Sequence, residues 1–220
     1  MKKPALILLV GLGLASISGA QVITQTQSFG FAPTNWTNSL TFNKFNPALG
    51  NLTSIVVSLT GQLNGEIKFE WLETGSGASV TGNLAGQVKI QKPDLSNLVV
   101  TSPLATTSDT VSAYDGTTDF GGTSGKTYSA LSATDTQMNT LTGPADFALF
   151  SGAGTIALPI AGSSFSGVTT SPAGNITSNA DVLAKASATI TYNYTPVPEP
   201  ASMIALGLGL TGLAARRKRK

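Results

Sequence analysis

The chain has 220 residues, of which 41% are hydrophobic, and a formal net charge of +2 at neutral pH. It contains neither cysteine nor histidine, which excludes disulfide frameworks, zinc sites of thiolate and imidazole ligands, and Ser-His-Asp or Cys-His catalysis. The positive charge comes from the two ends: residues 21–196 contain six lysines, no arginine and ten acids, so this part carries about −4 and lacks the basic cluster that nucleic-acid binding requires.

The first twenty residues have the layout of a secretory signal peptide. Two lysines follow the initiating methionine, Ala5–Ala15 is apolar, and the small residues Ser18 and Ala20 precede Gln21. The apolar run is too short to span a bilayer comfortably. We therefore expect the secretion machinery to export the chain, with cleavage between Ala20 and Gln21.

Between the ends, apolar and polar residues mostly alternate with the period of a β-strand. The runs that predict strands are Val22–Phe29, Leu52–Thr60, Glu66–Leu72, Ser79–Ala85, Gly86–Gln91, Asn97–Ser102, Asp109–Ala113, Phe147–Phe150, Gly154–Ile160 and Lys185–Tyr194. The dipeptide Asn64-Gly65 predicts a hairpin turn between the second and third runs. In the last run, alternate residues from Ala186 to Tyr194 share one face.

Glycine and proline separate these runs at short intervals, and no amphipathic helix of normal length interrupts them. Many short strands with turn signals between them predict an all-β fold, an antiparallel β-sandwich or jelly-roll-like single domain. We assign residues 21–196 to this domain, residues 1–20 to the signal peptide and residues 197–220 to a hydrophobic sorting or anchor segment.

An acidic, glycine-rich segment raises the question of a metal or nucleotide site. Asp109, Asp115 and Asp119 are close in sequence but lack the order of a calcium-binding loop, and aspartates in turns more often bond their own backbone. Gly121–Thr127 resembles a phosphate-binding loop, but Phe120 stands at its first glycine position and no helix-forming segment follows. We predict no cofactor and no metal, with structural calcium left as an alternative.

Glutamates and aromatic residues suggest two further kinds of site. Glu66, Glu70 and Glu73 could supply a carboxylate pair for glycoside hydrolysis, but Glu66 and Glu70 share a strand face with a lysine between them, as on an exposed face of mixed charge. Trp36, Trp71 and the tyrosines could stack on sugars, although core and edge aromatics are commoner in a sandwich. We predict no catalytic residues and keep carbohydrate binding as an alternative.

The last 24 residues have three parts in a fixed order. A rigid Pro-Glu-Pro element comes first, Ala201–Ala215 is apolar and uncharged, and the last five residues are all basic. A fifteen-residue helix is about 22 Å long, which is short for a hydrocarbon core of about 30 Å. The basic end should stay cytoplasmic and halt export. The sorting residues that we predict are Pro198, Glu199, Pro200, Arg216 and Arg217.

This three-part tail resembles the PEP-CTERM sorting signal. The resemblance implies recognition by an exosortase, a membrane-embedded cysteine transpeptidase of Gram-negative bacteria, which would cut near Pro198–Pro200 and discard or replace the tail. The protein would then be the substrate of that enzyme, anchored in the membrane only until processing. An ordinary permanent C-terminal anchor is the alternative.

The middle of the chain carries a second resemblance. Asn35-Trp36-Thr37 and Phe42–Leu52, followed by Tyr114–Gly125 and Ala148–Thr155, resemble in order and spacing the segments of the choice-of-anchor E domain. The name implies a domain found with various surface anchors, and it implies no biochemical activity.

Together these observations favour a non-catalytic exported protein that is an exosortase substrate at the cell surface or in the extracellular polysaccharide matrix of a biofilm. Its role would be structural or adhesive. A carbohydrate-binding module is the second hypothesis and predicts an exposed aromatic row. A secreted glycoside hydrolase is the third and predicts two acids in one cleft.

Overall fold

The computed structural model describes residues 19–197, which form two antiparallel sheets. A 3-10 turn at Pro47–Leu49 and one short helix, α1 (Pro144–Phe150), interrupt the strands. No helix within residues 19–197 is long and apolar enough to cross a membrane. In chain order the strands are β1 (Gln21–Pro33), β2 (Trp36–Asn43), β3 (Gly50–Trp71), β4 (Ala78–Gln91), β5 (Asn97–Thr101), β6 (Leu104–Val111), β7 (Gly125–Leu141), β8 (Thr155–Ser164), β9 (Gly167–Ser171) and β10 (Ile176–Pro196).

The first sheet has the strand order β1-β10-β3-β7, and the second has the order β2-β8-β4-β5, with β6 and β9 also paired to β4. All pairs of these strands are antiparallel. The longest pair joins β10 to β3, from Pro196 opposite Gly50 to Ile176 opposite Trp71. The predicted all-β antiparallel class is therefore confirmed for the described residues, whereas the jelly-roll-like connection order stays a prediction.

Strand alternation places the main core between the two sheets. Along β3, every second residue from Ile55 to Leu63 is buried, and along β10 the same holds from Val182 to Tyr192. Leu84 and Val88 of β4 belong to the same core cluster. A second, smaller cluster lies where β3 ends; its buried members are Phe69, Trp71, Ala78, Val80 and Val111.

The predicted Asn64-Gly65 hairpin is wrong. Both residues lie within β3, where they pair with Leu183 and Val182 of β10. β3 is bonded on both sides, and a Cβ at Gly65 would collide with the backbone oxygen of Asp181. The glycine therefore permits a close approach of two strands and does not form a turn.

The other boundaries differ in ways that follow local chemistry. The predicted strand at Phe147–Phe150 is wrong, because these residues belong to α1, which begins at Pro144 and carries Asp146 in its first turn, two features that favour a helix start. The two runs predicted at Ser79–Ala85 and Gly86–Gln91 form the single strand β4. The strands β2, β7 and β9 were not predicted.

Candidate functional site

The predicted signal-cleavage position and the last described residues of the chain lie at the same end of the domain. Gln21, the first residue of β1, lies opposite Tyr194 of β10. Two residues after Tyr194, Pro196 lies opposite Gly50, the first residue of β3. Ala20 and Gln21 are exposed. We call the part of the domain around Gln21, Gly50 and Val197 the terminal end.

Hydrogen bonding holds the chain up to the edge of the predicted sorting segment. The amide of Val197 donates to the carbonyl oxygen of Leu49 at 3.1 Å. Gly50 has φ +154°, and a Cβ there would collide with the backbone of Thr195, so glycine lets the two strands meet closely. The folded part thus reaches residue 197 without a loose connection. The sorting residues Pro198, Glu199, Pro200, Arg216 and Arg217 lie outside the described residues.

Apolar side chains remain exposed at the terminal end. Val22, Leu49 and Val197 expose 58%, 43% and 55% of their surface. A groove of about 340 Å³ lies at the same end, between the 3-10 turn and α1. Its apolar lining includes Phe45, Pro47, Leu52, Phe147 and Ala148.

The three aspartates considered for calcium have separate partners. Asp109 pairs with Lys126 at 2.7 Å; the hydrogen bonds from Lys126 and then Tyr128 lower the pKa of Asp109. Asp115 accepts from the amide and hydroxyl of Thr117, which lower its pKa. Within residues 19–197 no three acidic side chains come together as a metal site, and a calcium site at these aspartates has no geometric support.

Asp119 follows the same pattern as its neighbours. Its Oδ1 accepts the amide of Gly121 at 2.9 Å, and the carbonyl of Phe120 accepts the hydroxyl of Thr127 at 2.9 Å. Phe120 and Gly122 both have positive φ. The glycine-rich segment is therefore a tight turn between β6 and β7, fixed by its own side chains.

The three glutamates do not form a catalytic pair either. Glu66 lies 3.5 Å from Lys68, and Glu73 accepts the amide of Asn175 at 2.8 Å. Glu70 is fully buried and accepts the hydroxyl of Ser124 at 2.5 Å. The expectation that Glu66 and Glu70 share an exposed face is wrong, because the segment Tyr114–Gly125 folds over the outer face of β3 at Glu70.

One acidic pair was not predicted. Glu66 and Asp181 are direct partners in the β3–β10 register, and they line an open cleft of about 710 Å³ together with Asn64 and Ser132. Asp181 is exposed, and Glu66 forms an ion pair with Lys68. The pair is separated by 115 positions in sequence, so local patterns give no signal for it.

The aromatic platform expected of a sugar-binding module is not formed by the two tryptophans. Trp71 is 1% exposed and donates its indole N–H to the carbonyl of Ser76 at 2.8 Å. Trp36 is half-buried, with its ring centroid 4.6 Å from that of Phe29, and it lies against Gly162, where a Cβ would be 2.6 Å from the indole. Both side chains serve packing.

Comparison with known proteins identifies the segment after the folded domain. Residues 196–220 match the PEP-CTERM protein-sorting motif, which indicates an exported protein that is targeted to an exosortase and anchored transiently in the membrane before processing. No curated protein matches the chain.

Among solved structures, the chain is similar to proteins of infectious bursal disease virus. It is 13% identical to a chain of the T13 viral particle, with a TM-score of 0.24, covering 95% of this chain and 51% of that one. For the VP2 subviral particle the identity is 15% and the TM-score 0.22, covering 87% and 42%. The chain thus spans about half the length of these proteins or less, and such TM-scores carry no argument about function.

Proposed function

We propose that this protein is a non-catalytic exported protein that an exosortase delivers to the cell surface or the extracellular polysaccharide matrix, where its β-domain has a structural or adhesive role. The observation that carries the proposal is the sorting motif at residues 196–220. The motif begins where β10 ends, so a folded cargo domain leads directly into the segment that is processed. The predicted signal peptide at residues 1–20 supplies the route out of the cytoplasm.

The chemistry of the domain supports a role without catalysis. The acidic side chains that suggested a hydrolase or a metal site bond to the protein itself, through Ser124, Asn175, Lys68 and Lys126. We further propose that the domain is of the choice-of-anchor E type. Tyr114–Gly125, one of the segments that resemble this domain, covers the buried Glu70 and donates a hydrogen bond to it through Ser124.

The test is the intact mass and the location of the mature protein in cells with and without the exosortase. In wild-type cells we expect a chain that begins at Gln21 and has lost the segment after the Pro-Glu-Pro element, located outside the inner membrane. Without the exosortase, we expect the uncut chain in the membrane fraction. A wild-type product that still ends at Lys220 would overturn the proposal.

A matched pair of variants separates the motif from general damage to the tail. Replacing Pro198, Glu199 and Pro200 by alanine should leave the uncut chain in the membrane even when the exosortase is present. The substitution Thr195→Ser, just inside β10, is the control and should be processed normally. Equal processing of both variants would contradict a role for the Pro-Glu-Pro element.

A further inference from the structure

We propose that the terminal end of the domain is a membrane-docking surface, which lies against the lipid headgroups while the C-terminal tail is inserted. This inference rests on the proposed function, since it requires the tail to enter the membrane before processing. It adds an orientation and a contact surface for the folded domain. The bilayer is the partner, and the apolar side chains around Val197 make the contact.

The short connection to the tail limits how far the domain can be from the bilayer. Val197 is still hydrogen-bonded to Leu49, and the apolar segment starts at Ala201. The three residues between them span at most about 14 Å from Val197 to Ala201, even when fully extended. The headgroup layer on one side of a bilayer is roughly 5–8 Å thick. The connection thus keeps the terminal end within about 6–9 Å of the outer edge of this layer, even when fully extended, and a shorter path brings it into contact.

The length of the central strands sets which surface faces the lipid. β3 runs for 22 residues from Gly50 to Trp71, which is roughly 70 Å of extended chain. The turn after β3, which contains Gly75, thus lies far from the tail. Since β10 ends beside Gly50 and leads into the tail there, the terminal end faces the membrane and the Gly75 turn is directed away from it.

The terminal end also has the composition of an interfacial surface. The apolar side chains of Val22, Leu49 and Val197 are exposed there. Leu95, which is 63% exposed, lies in the turn between β4 and β5. An ion pair of 2.5 Å between Lys92 and Asp146 connects this turn to α1. Three of the nine large hydrophobic side chains exposed in residues 19–197, those of Val22, Leu49 and Val197, thus lie at this end, with Leu95 on an adjoining turn. Partial insertion of such side chains at the headgroup boundary is favourable.

Charge does not provide the attraction. The turns at this end carry Lys44, Lys92, Asp94 and Asp146, which cancel. Contact through apolar side chains should therefore occur on uncharged phosphatidylcholine vesicles and should change little with salt, whereas contact through lysines would weaken as salt screens it.

The natural absence of cysteine makes a site-specific test direct. The full chain carries a single introduced cysteine with an environment-sensitive fluorophore, at Leu49→Cys on the terminal end, Gly75→Cys on the opposite turn, or Leu208→Cys in the tail. Each labelled chain is reconstituted into phosphatidylcholine vesicles that contain a headgroup-spin-labelled lipid as quencher. A Cβ at Gly75 meets no atom within 4 Å, so this control position tolerates the label.

We expect the label at Leu49→Cys to lose roughly half of its fluorescence or more, because side chains in the interface lie within reach of the headgroup quencher. The label at Gly75→Cys should lose none. Blue-shifted emission at Leu208→Cys marks an inserted tail, because this position lies in the middle of the apolar segment. Such a shift with equal brightness at positions 49 and 75 would overturn the docking surface and leave the proposed function intact. A label at Leu208→Cys that keeps the emission of a water-exposed dye would show that the tail does not insert and would overturn both.

A second variant guards against an effect of the label. Leu49→Asp in a chain labelled at Val22→Cys should reduce the quenching at position 22, whereas Leu104→Asp, also on an exposed leucine (61%) but away from the terminal end, should not. If the groove instead holds the chain's own tail, the label at position 49 is shielded from a soluble quencher before vesicles are added. That result would also overturn docking on lipid.

Discussion

Ser124 donates its hydroxyl to the carboxylate of Glu70 at 2.5 Å, and both side chains are fully buried. The same serine oxygen accepts the amide of Asp115 at 3.2 Å, and its carbonyl accepts the amide of Trp71 at 2.9 Å. One residue thus joins the turn before β7 to the end of β3. A buried carboxylate is costly unless it is hydrogen-bonded, so this contact should matter for stability.

We predict that Ser124→Ala lowers the free energy of unfolding by about 1–3 kcal/mol, because it leaves Oε1 of the buried Glu70 without its donor. Urea unfolding monitored by tryptophan fluorescence measures the change, with Trp71 next to the altered site. Ser132→Ala, on an exposed position of β7, is the control and should change stability by less than about 0.5 kcal/mol. Equal midpoints for the two variants would contradict the role assigned to Ser124.

We predict that Gly125→Ala is destabilising by about 1–3 kcal/mol, since a side chain forced into a packed site displaces its neighbours. A Cβ at this position would collide with Oε2 of Glu70 and lie 2.6 Å from the amide nitrogen of Gly121. Thermal unfolding of the variant measures the loss.

Gly30→Ala is the matched control for this glycine. It lies in β1 with no atom within 4 Å of a new Cβ, and replacing a flexible glycine at a compatible site is neutral or stabilising by about 0.4–1 kcal/mol. If both alanines had the same effect, the collision at Gly125 would not be what limits that position.

The parts of the fold that the sequence predicts well are strands with one buried face. β10 is the clearest case, because Ala186, Ala188, Ile190 and Tyr192 alternate with polar residues and all four are buried. Such a pattern is local, so it can be recognised without knowing the partner strand. The edge strand β7 has no comparable alternation, since most of its residues are exposed.

Features that depend on a distant partner could not be predicted. The burial of Glu70 requires Ser124, 54 positions later, and the cleft pair joins Glu66 to Asp181. Gly65 looks like a turn residue until the neighbouring strand occupies the space of its side chain. The placement of Gln21 beside the end of β10 likewise follows from the pairing of the first strand with the last. In each case the decisive contact is absent from the local pattern.

We predict that the pair of Asp109 and Lys126 stabilises the fold between about pH 4 and pH 10. The hydrogen bond from Lys126 lowers the pKa of Asp109 below its usual 3.8, so this contribution is present above the unfolded-state value and is lost as the pH falls through the lower folded value. The same bond raises the pKa of Lys126 above 10.5, so that contribution is lost as the pH rises through the higher value.

Urea unfolding across this pH range tests the pair. Asp109→Asn should flatten the acid side of the stability profile without abolishing it, because hydrogen bonds from Ser96 and Thr117 also lower the pKa of Asp94 and Asp115. The difference from wild type should shrink in about 1 M salt, since exposed charges are then screened. Identical profiles at low salt would show that the pair contributes nothing.

We predict that Tyr192 makes the fold sensitive to high pH. Burial raises the pKa of its phenol to about 12, from 10.0. Between these values the unfolded chain releases a proton that the folded chain keeps, so stability is full below about pH 10 and falls as the pH rises towards 12, by up to about 2.7 kcal/mol. Phenolate absorbance of this residue should therefore appear together with unfolding.

Tyr192→Phe separates this effect from a simple loss of packing. The hydroxyl of Tyr192 donates to the carbonyl of Asn43 at 3.0 Å, but that oxygen also accepts from the side-chain amide of Gln25 at 2.9 Å. The acceptor keeps one partner, so the cost at neutral pH should be near the lower end of about 0.5–1.5 kcal/mol. Above pH 10 the variant should lose stability less steeply than wild type in urea unfolding. A variant whose alkaline loss is as steep as that of wild type would show that Tyr192 is not the group responsible.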